Sequence, residues 1–126
     1  MIEEVINGQN YALLPDLLHA DYMYRAPGEE LVGPGSLQVL FSGYREAFPD
    51  LHVRIDNLFG DGEQVATTLT LTGTHAGPLM GLPATGRSVS VDGIVHSRVR
   101  DGRIAEEWEL LDMASLMQQL TADGAD

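Results

Sequence analysis

Asp112 and His75 are the two residues whose type and position in the sequence best suit proton-transfer chemistry. Two apolar runs flank Asp101-Gly102, a pair that is typical of a two-residue hairpin turn. With this pair as the turn, Val95 is expected to face Trp108, and Asp112 to lie on the same face at the open end of the hairpin. A carboxyl group beside an indole ring, at the edge of an apolar surface, predicts a catalytic pocket.

Asp112 also has a purely structural interpretation, because it comes directly before a predicted helix. Aspartate is a preferred N-cap residue, whose carboxylate accepts hydrogen bonds from the free N–H groups of the first helical turn. Such bonds lower the pKa of the carboxyl group and make it a poor base. The residues alone leave both interpretations open. The position of the carboxyl oxygens, inside an enclosed cavity or on the outer surface, decides between them.

His75 ends a predicted strand and shares its face with Val65, Leu69 and Leu71. Its imidazole could donate a hydrogen bond to a carbonyl oxygen that gains negative charge during a reaction. The alternative, which the sequence alone favours, is a strand-end histidine that is hydrogen-bonded to the following loop.

A third group of candidates consists of residues that could bind a substrate, although each could equally belong to an ordinary core. They are Trp108, Tyr22, Arg25, Tyr44, Phe48, Met80 and Leu110. Glu106 shares the face predicted for Trp108 but lies near the turn, and is a minor candidate.

Composition excludes several classes of function. The chain has 126 residues and no cysteine, which predicts a single domain (1–126) without disulfides or thiol catalysis. The net charge of −12 argues against nucleic acid or an anionic membrane as a partner. No histidine pair has metal-ligand spacing and no phosphate-binding glycine loop is present, so we expect neither a metal nor a cofactor. Without a signal peptide or a membrane-spanning run, the expected location is the cytoplasm.

Helices are predicted first and a meander of strands after them. The strongest helical pattern begins at Ser36, where Leu37, Leu40, Phe41, Tyr44 and Phe48 recur at helical spacing. Shorter helices are predicted over 1–8 and 10–18, with Asn10 as the cap of the second, and a last one after Asp112. Strands are predicted over 51–59, 65–75, 88–100 and 103–111, with a short extended piece over 21–25 and a loop over 26–35. The apolar residues of the loop 76–86 are expected to line a pocket mouth or a dimer contact.

The last hairpin carries a pattern that extends beyond its secondary structure. From Gly93 it reads G-I-x-x-x-R-V-x-D-G-R-I-x-E-x-W-x-x-x-D, and an amphipathic helix ending in QQL follows. Together with AFPDLHV (47–53), GTHAG (73–77) and LPATGR (82–87), the chain resembles the SnoaL-like polyketide cyclases over roughly 7–120. These enzymes belong to the nuclear-transport-factor-2-like superfamily.

This resemblance implies an α+β cone, in which N-terminal helices pack in the concave face of a curved, mainly antiparallel sheet. It also implies a hydrophobic, polyketide-derived substrate and favours Asp112 as the general acid/base. Proteins of the family often carry a histidine where Arg25 stands. A homodimer through the exposed, threonine-rich face of the sheet is expected.

Three functions are compatible with the sequence. The first is a cofactor-independent cyclase, in which Asp112, with a pKa raised to roughly 6 to 7, starts an intramolecular aldol ring closure. The second is an isomerase, dehydratase or epoxide hydrolase that uses the same pocket, with Arg25 beside Asp112. The third is a non-catalytic ligand-binding or dimerisation module, in which Asp112 is only a helix cap.

Overall fold

Six strands form one curved sheet in the computed structural model, which describes residues 2–79 and 81–121. The strands are β1 (Leu18–Ala26), β2 (Glu29–Val32), β3 (His52–Asp61), β4 (Gln64–Thr74), β5 (Ser88–Arg100) and β6 (Arg103–Leu111). Their order across the sheet is β2-β1-β6-β5-β4-β3. All neighbours are antiparallel except β1 and β6, which run parallel.

Helices cover one face of this sheet. They are α1 (Leu14–Leu17), α2 (Pro34–Ala47) and α3 (Met113–Thr121), preceded by a π-helical segment (Ile2–Asn7) and a 3₁₀ turn (Tyr11–Leu13). Leu37 and Phe41 of α2 are buried with Leu69, Leu71 and other inward-facing residues of the strands. The predicted α+β architecture is therefore confirmed. Within the described residues, no helix is long and apolar enough to cross a membrane.

Two predicted elements differ in the structure. The region 26–35, predicted as a loop, contains β2, because pairing with β1 satisfies its backbone groups despite its Gly-rich sequence. The helix predicted over 10–18 is broken into a 3₁₀ turn and the single turn α1, and Leu18 already belongs to β1. Asn10 makes no side-chain cap bond there.

Hydrogen bonds of Arg45 and Asn7 hold the N-terminal segment in place. The guanidinium group of Arg45, near the end of α2, donates hydrogen bonds to the carbonyls of Ile6 (2.6 Å) and Leu51 (2.8 Å). The side chain of Asn7 bonds to the backbone of Val53 in both directions. These bonds place Val5 and Ile6 beside β3, where both side chains are buried in the core.

The predicted turn at Asp101-Gly102 is confirmed. Both residues have positive φ angles, 54° and 77°, as the primed type I turn requires, and Val99 faces Ile104 as expected. Beyond that pair the predicted register is wrong. Arg98 pairs with Glu106, so Ala105 has no partner on β5 and forms a β-bulge.

This bulge exchanges the two faces of β6. His96, rather than Val95, lies opposite Trp108, and the two rings stack with their centroids 5.1 Å apart. A shift of one residue moves every following side chain to the other side of a strand. Consequently Glu107 is buried, whereas Leu110 has 62% of its surface exposed.

Gly93 lies at a point of tight packing between β5 and β6. A Cβ atom at this position would overlap the side chain of Leu111 and lie 3.1 Å from Cδ1 of Leu69. The missing side chain therefore lets Leu111 turn inward over the sheet, beside the cavities described below.

Candidate active site

Two adjoining cavities lie between the sheet and the helices. The outer one is an open cleft of about 520 Å³, and the inner one is a chamber of about 50 Å³. Four residues border both: Tyr24, Tyr44, Glu109 and Leu111. A side-chain group at this junction is accessible from the cleft and also contacts the inner chamber.

The walls of both cavities are mostly apolar. Side chains from α2 and from β3 to β5 close the inner chamber, among them Leu37, Phe41, Val53, Leu71 and Val95. The outer cleft is bounded by the end of β1, by α2 and by Pro78 and Leu79. Leu79 belongs to the loop 76–86, so the prediction that the apolar residues of this loop line a pocket mouth is confirmed for Leu79 but not for Leu82, which borders neither cavity.

Glu109 is the carboxyl group placed between the cavities. The hydroxyl of Tyr24 donates a hydrogen bond of 2.8 Å to its Oε1 atom. Burial is the largest effect on the pKa of Glu109 and raises it, the Tyr24 hydrogen bond lowers it, and the negative charges of Glu107 and Glu29 raise it, so that the resulting pKa is about 7. Near neutral pH this group therefore exists in both the ionised and the protonated form, as a general acid/base requires.

Glu107 is a second carboxyl group, which borders the inner chamber but not the outer cleft. It accepts hydrogen bonds from the Tyr22 hydroxyl (2.7 Å) and from Oγ of Ser97 (3.0 Å), one on each carboxyl oxygen. The pKa of Glu107 is raised above the ordinary glutamate value, because the effect of burial exceeds that of the two hydrogen bonds, which lower it.

The parallel pairing of β1 with β6 explains how these four groups meet. Tyr22 and Tyr24 are two residues apart on β1, as Glu107 and Glu109 are on β6, so each pair occupies a single face of its strand. The result is a double row of tyrosine–carboxyl bonds that joins the first strand to the last.

Tyr44 of α2 provides a further polar group at the junction. Burial raises the pKa of its hydroxyl to about 12, with smaller contributions from the charges of Glu109 and Glu29. This hydroxyl stays protonated at neutral pH and can donate a hydrogen bond to a ligand in either cavity.

Asp112 is not in the cavity where the predicted register placed it. It is exposed and borders neither cavity. Its Oδ1 atom accepts a hydrogen bond of 3.0 Å from the backbone N–H of Ser115, so it caps α3. The predicted position is wrong because the bulge at Ala105 reverses the parity of β6.

His75 and Phe48 lie in the core and border neither cavity. Both side chains are fully buried and their rings are 5.6 Å apart. The Nδ1 atom of His75 contacts Oγ1 of Thr85 at 2.9 Å and accepts a hydrogen bond from the backbone N–H of Thr85. The alternative interpretation, a strand-end histidine bonded to the next loop, is therefore the one that matches the structure.

Four other candidates lie on the outer face of the sheet: Arg25, Glu106, Trp108 and Leu110. Arg25 forms an ion pair of 2.7 Å with Glu106, and its guanidinium carbon lies 5.5 Å from the ring centre of Trp108. Leu110 follows on the same face. The combination of Arg25 and Asp112 that an epoxide hydrolase would use is thus not assembled in the cavity.

Of the remaining predicted residues, Tyr44 borders both cavities as expected. Tyr22 borders neither cavity, and its hydroxyl donates a hydrogen bond to Glu107 instead. Met80 lies outside the described residues. Sequence reasoning missed Glu107, Glu109 and Tyr24. The alternation of two tyrosines and two glutamates at the same spacing was the available signal, but it becomes meaningful only when β1 and β6 are known to be neighbours.

The sequence matches one known family over almost its whole length. The family model described as SnoaL-like polyketide cyclase matches residues 1–120. The chain belongs to this family of enzymes. SnoaL-like cyclases act on polyketides, which are small molecules. The mostly apolar lining of the cleft is consistent with a hydrophobic substrate.

Individual relatives lead to the same family. Aklanonic acid methyl ester cyclase DnrD of Streptomyces peucetius is 30% identical over 109 residues, which are 83% of this chain and 75% of the relative. Nogalonic acid methyl ester cyclase of Streptomyces nogalater is 30% identical over 111 residues, 83% of this chain and 81% of the relative. The structure of TsrD from Streptomyces laurentii superimposes with a TM-score of 0.85 at 28% identity, covering 95% of this chain and 89% of that one.

Proposed function

We propose that this SnoaL-like cyclase closes a ring in a polyketide-derived ester by an intramolecular aldol reaction, with Glu109 as the general acid/base. The observation that carries the proposal is the position of the Glu109 carboxyl group. It is partly buried, borders both cavities and has a pKa raised to about 7. Asp112, to which the sequence analysis gave this role, is exposed at the start of α3.

The reaction needs one proton to be moved twice. The Glu109 carboxylate removes a proton from a carbon next to a carbonyl group, and the C–H electron pair passes into an enolate. The carbanion carbon then attacks a second carbonyl carbon of the same molecule and forms the C–C bond. The oxygen of that carbonyl takes the proton back from Glu109. Substrate and product are therefore isomers, and the enzyme returns to its starting state.

Hydrogen-bond donors are needed where negative charge develops on oxygen. The hydroxyl of Tyr44 borders the same space as Glu109 and remains protonated, so it is suited to contact the enolate oxygen. Tyr24 is bonded to Glu109 and becomes available once that carboxyl group has accepted a proton.

The aldol route must run through an enolate rather than an enamine. An enamine mechanism requires a lysine that forms a Schiff base with the substrate carbonyl. The sequence contains no lysine, since all its seven basic residues are arginines. A carboxylate base with hydroxyl donors is the machinery that the residues at the cavity junction provide.

The substrate class follows from the cleft and from the relatives. A volume of about 520 Å³ lies within the range of small-molecule sites, and its lining is largely apolar. Two relatives are named for methyl esters of polyketide acids. We infer a substrate of the same class, folded so that the two reacting carbons approach each other, because ring closure depends on that geometry.

Two variants test the assignment with aklanonic and nogalonic acid methyl esters as probe substrates, with turnover followed by chromatography and mass spectrometry. We expect Glu109→Gln to abolish formation of the isomeric ring product. Asp112→Asn should retain the parent rate, since asparagine also caps a helix. An active Glu109→Gln protein together with an inactive Asp112→Asn protein would return the role to Asp112. A product heavier than the substrate by one water molecule would show that the enzyme catalyses hydrolysis instead of ring closure.

We also propose that two copies pair through the outer face of the sheet. Ile94 and Leu110 lie opposite each other there and are 53% and 62% exposed, next to the ring of Trp108. Adjacent apolar side chains on an outer surface are typical of a contact site. Light scattering should give a dimer for the parent and a monomer for Leu110→Glu. A monomeric parent protein contradicts the proposal.

A further inference from the structure

We propose that Glu107 is a positioning residue for the reaction, an anionic neighbour that keeps Glu109 basic enough to remove a carbon-bound proton. The inference rests on the role proposed above for Glu109. It assigns a role to the buried carboxyl group of Glu107, which does not take part in the aldol steps themselves.

The first argument is the placement of the two carboxyl groups. Both project from the same face of β6 into the inner chamber. Residues two apart on a strand are about 7 Å apart along the chain direction, which is close enough for charges to interact strongly across an apolar space. Among the described residues that line the two cavities, none is an arginine or a histidine, so no cation separates the pair.

The second argument is the way in which Glu107 is held. Each of its oxygens accepts a hydrogen bond, one from Tyr22 and one from Ser97. Two hydroxyl donors favour the ionised form of a carboxyl group and oppose the effect of its burial. They also fix the side chain, so that its charge acts on Glu109 from a constant position.

The third argument comes from the other groups that face Glu109. Tyr24 of β1 donates to it, Tyr44 of α2 borders the same space, and Glu29 of β2 and Glu46 of α2 lie at the rim of the cleft. Both rim glutamates are exposed, whereas Glu107 is buried. Because water screens an exposed charge, Glu107 is the neighbour whose charge should act most strongly.

The direct test is a ¹³C NMR titration of the Glu109 carboxyl carbon, which needs no substrate. In Glu107→Gln the midpoint of this titration should fall by roughly one pH unit, as expected when a like charge is removed from a close pair. The exposed control Glu46→Gln, whose charge is not among those that act on Glu109, should leave the midpoint near that of the parent. An unchanged midpoint in Glu107→Gln overturns the inference, because Glu107 would then be neutral or too distant to act.

A second variant covers the case in which Glu107→Gln does not fold. Ser97→Ala removes one donor from Glu107 and disfavours its ionised form, so the Glu109 midpoint should again fall. A midpoint that stays or rises in Ser97→Ala contradicts the inference.

Kinetics separate this inference from the proposed function. With the methyl ester probes, Glu107→Gln should remain active, and the acidic limb of its kcat/KM profile should move to lower pH together with the NMR midpoint. A purely structural role predicts a lower Tm and a lower rate with the limb in its original place, and this result overturns the inference alone. An active Glu109→Gln protein overturns the proposed function while leaving the titration result intact.

Discussion

Replacing Glu109 by glutamine should stabilise the folded protein, and the gain should grow with pH. The pKa of this carboxyl group is raised from 4.5 to about 7 by folding, mainly because the group is buried. Between these values the folded state binds a proton that the unfolded state has lost, so the parent loses stability as the pH rises through this window. Glutamine keeps an oxygen for the Tyr24 hydroxyl and has no charge to bury.

The size of the effect follows from the two pKa values. One pKa unit corresponds to about 1.4 kcal/mol, so the ionised carboxylate costs the parent at most about 3 kcal/mol above pH 7. Part of this cost is already present at pH 5. The difference in the free energy of unfolding between Glu109→Gln and the parent should therefore widen by roughly 2 kcal/mol between pH 5 and pH 8.

Urea unfolding followed by circular dichroism measures this difference without any substrate. With a slope near 2 kcal/mol per molar urea, the midpoint of the variant should exceed that of the parent by roughly 1 M more at pH 8 than at pH 5. Glu46→Gln, an exposed position at the rim of the cleft, is the matched control and should shift the midpoint equally at both pH values. A pH-independent difference for Glu109→Gln would show that water reaches this carboxylate freely, and the acid/base assignment would then fail.

Two further predictions concern the surroundings of the same group. Tyr24→Phe removes a hydrogen bond to the ionised form of Glu109, worth about 1.5 kcal/mol, so the acidic limb of the kcat/KM profile should move about one unit to higher pH. A limb that stays in place would mean that this bond is absent during the reaction. Gly93→Ala should lower the free energy of unfolding by about 1 to 3 kcal/mol in urea titrations and raise KM, because the new methyl group pushes Leu111 into the cavities. A variant as stable as the parent would contradict the packing described for Gly93.

Much of the architecture was predictable because local patterns agree with the final fold. The spacing of Leu37, Phe41 and Tyr44 predicts α2, and Asp101-Gly102 predicts the last turn, since both signals depend only on neighbours in sequence. The family motifs then indicate how such elements assemble. The region that contains β2 gave no strand signal, because that strand depends on its partner rather than on its own residues.

The candidate site was harder to predict, and the reason is a single residue. An unbroken ladder from the turn would have brought Trp108 and Leu110 inward, which their apolar character also suggested. Ala105 interrupts the ladder, and the glutamates on either side of Trp108 become the inward residues instead. Alternation in sequence reveals that a strand has two faces, but it does not reveal a bulge, which depends on the pairing with the neighbouring strand.

The parallel contact between β1 and β6 also affects how the protein folds during its synthesis. During synthesis, β3, β4 and β5 can pair with one another as they emerge, because each follows its neighbour in the chain. The hairpin of β1 and β2 has to wait for residues 103–111, which enter the middle of the sheet after all the other strands have been made. Both tyrosine–glutamate bonds span 85 residues of sequence. A nascent chain therefore lacks both tyrosine–glutamate bonds until β6 has left the ribosome, and closure of this long loop is expected to set the pace of maturation.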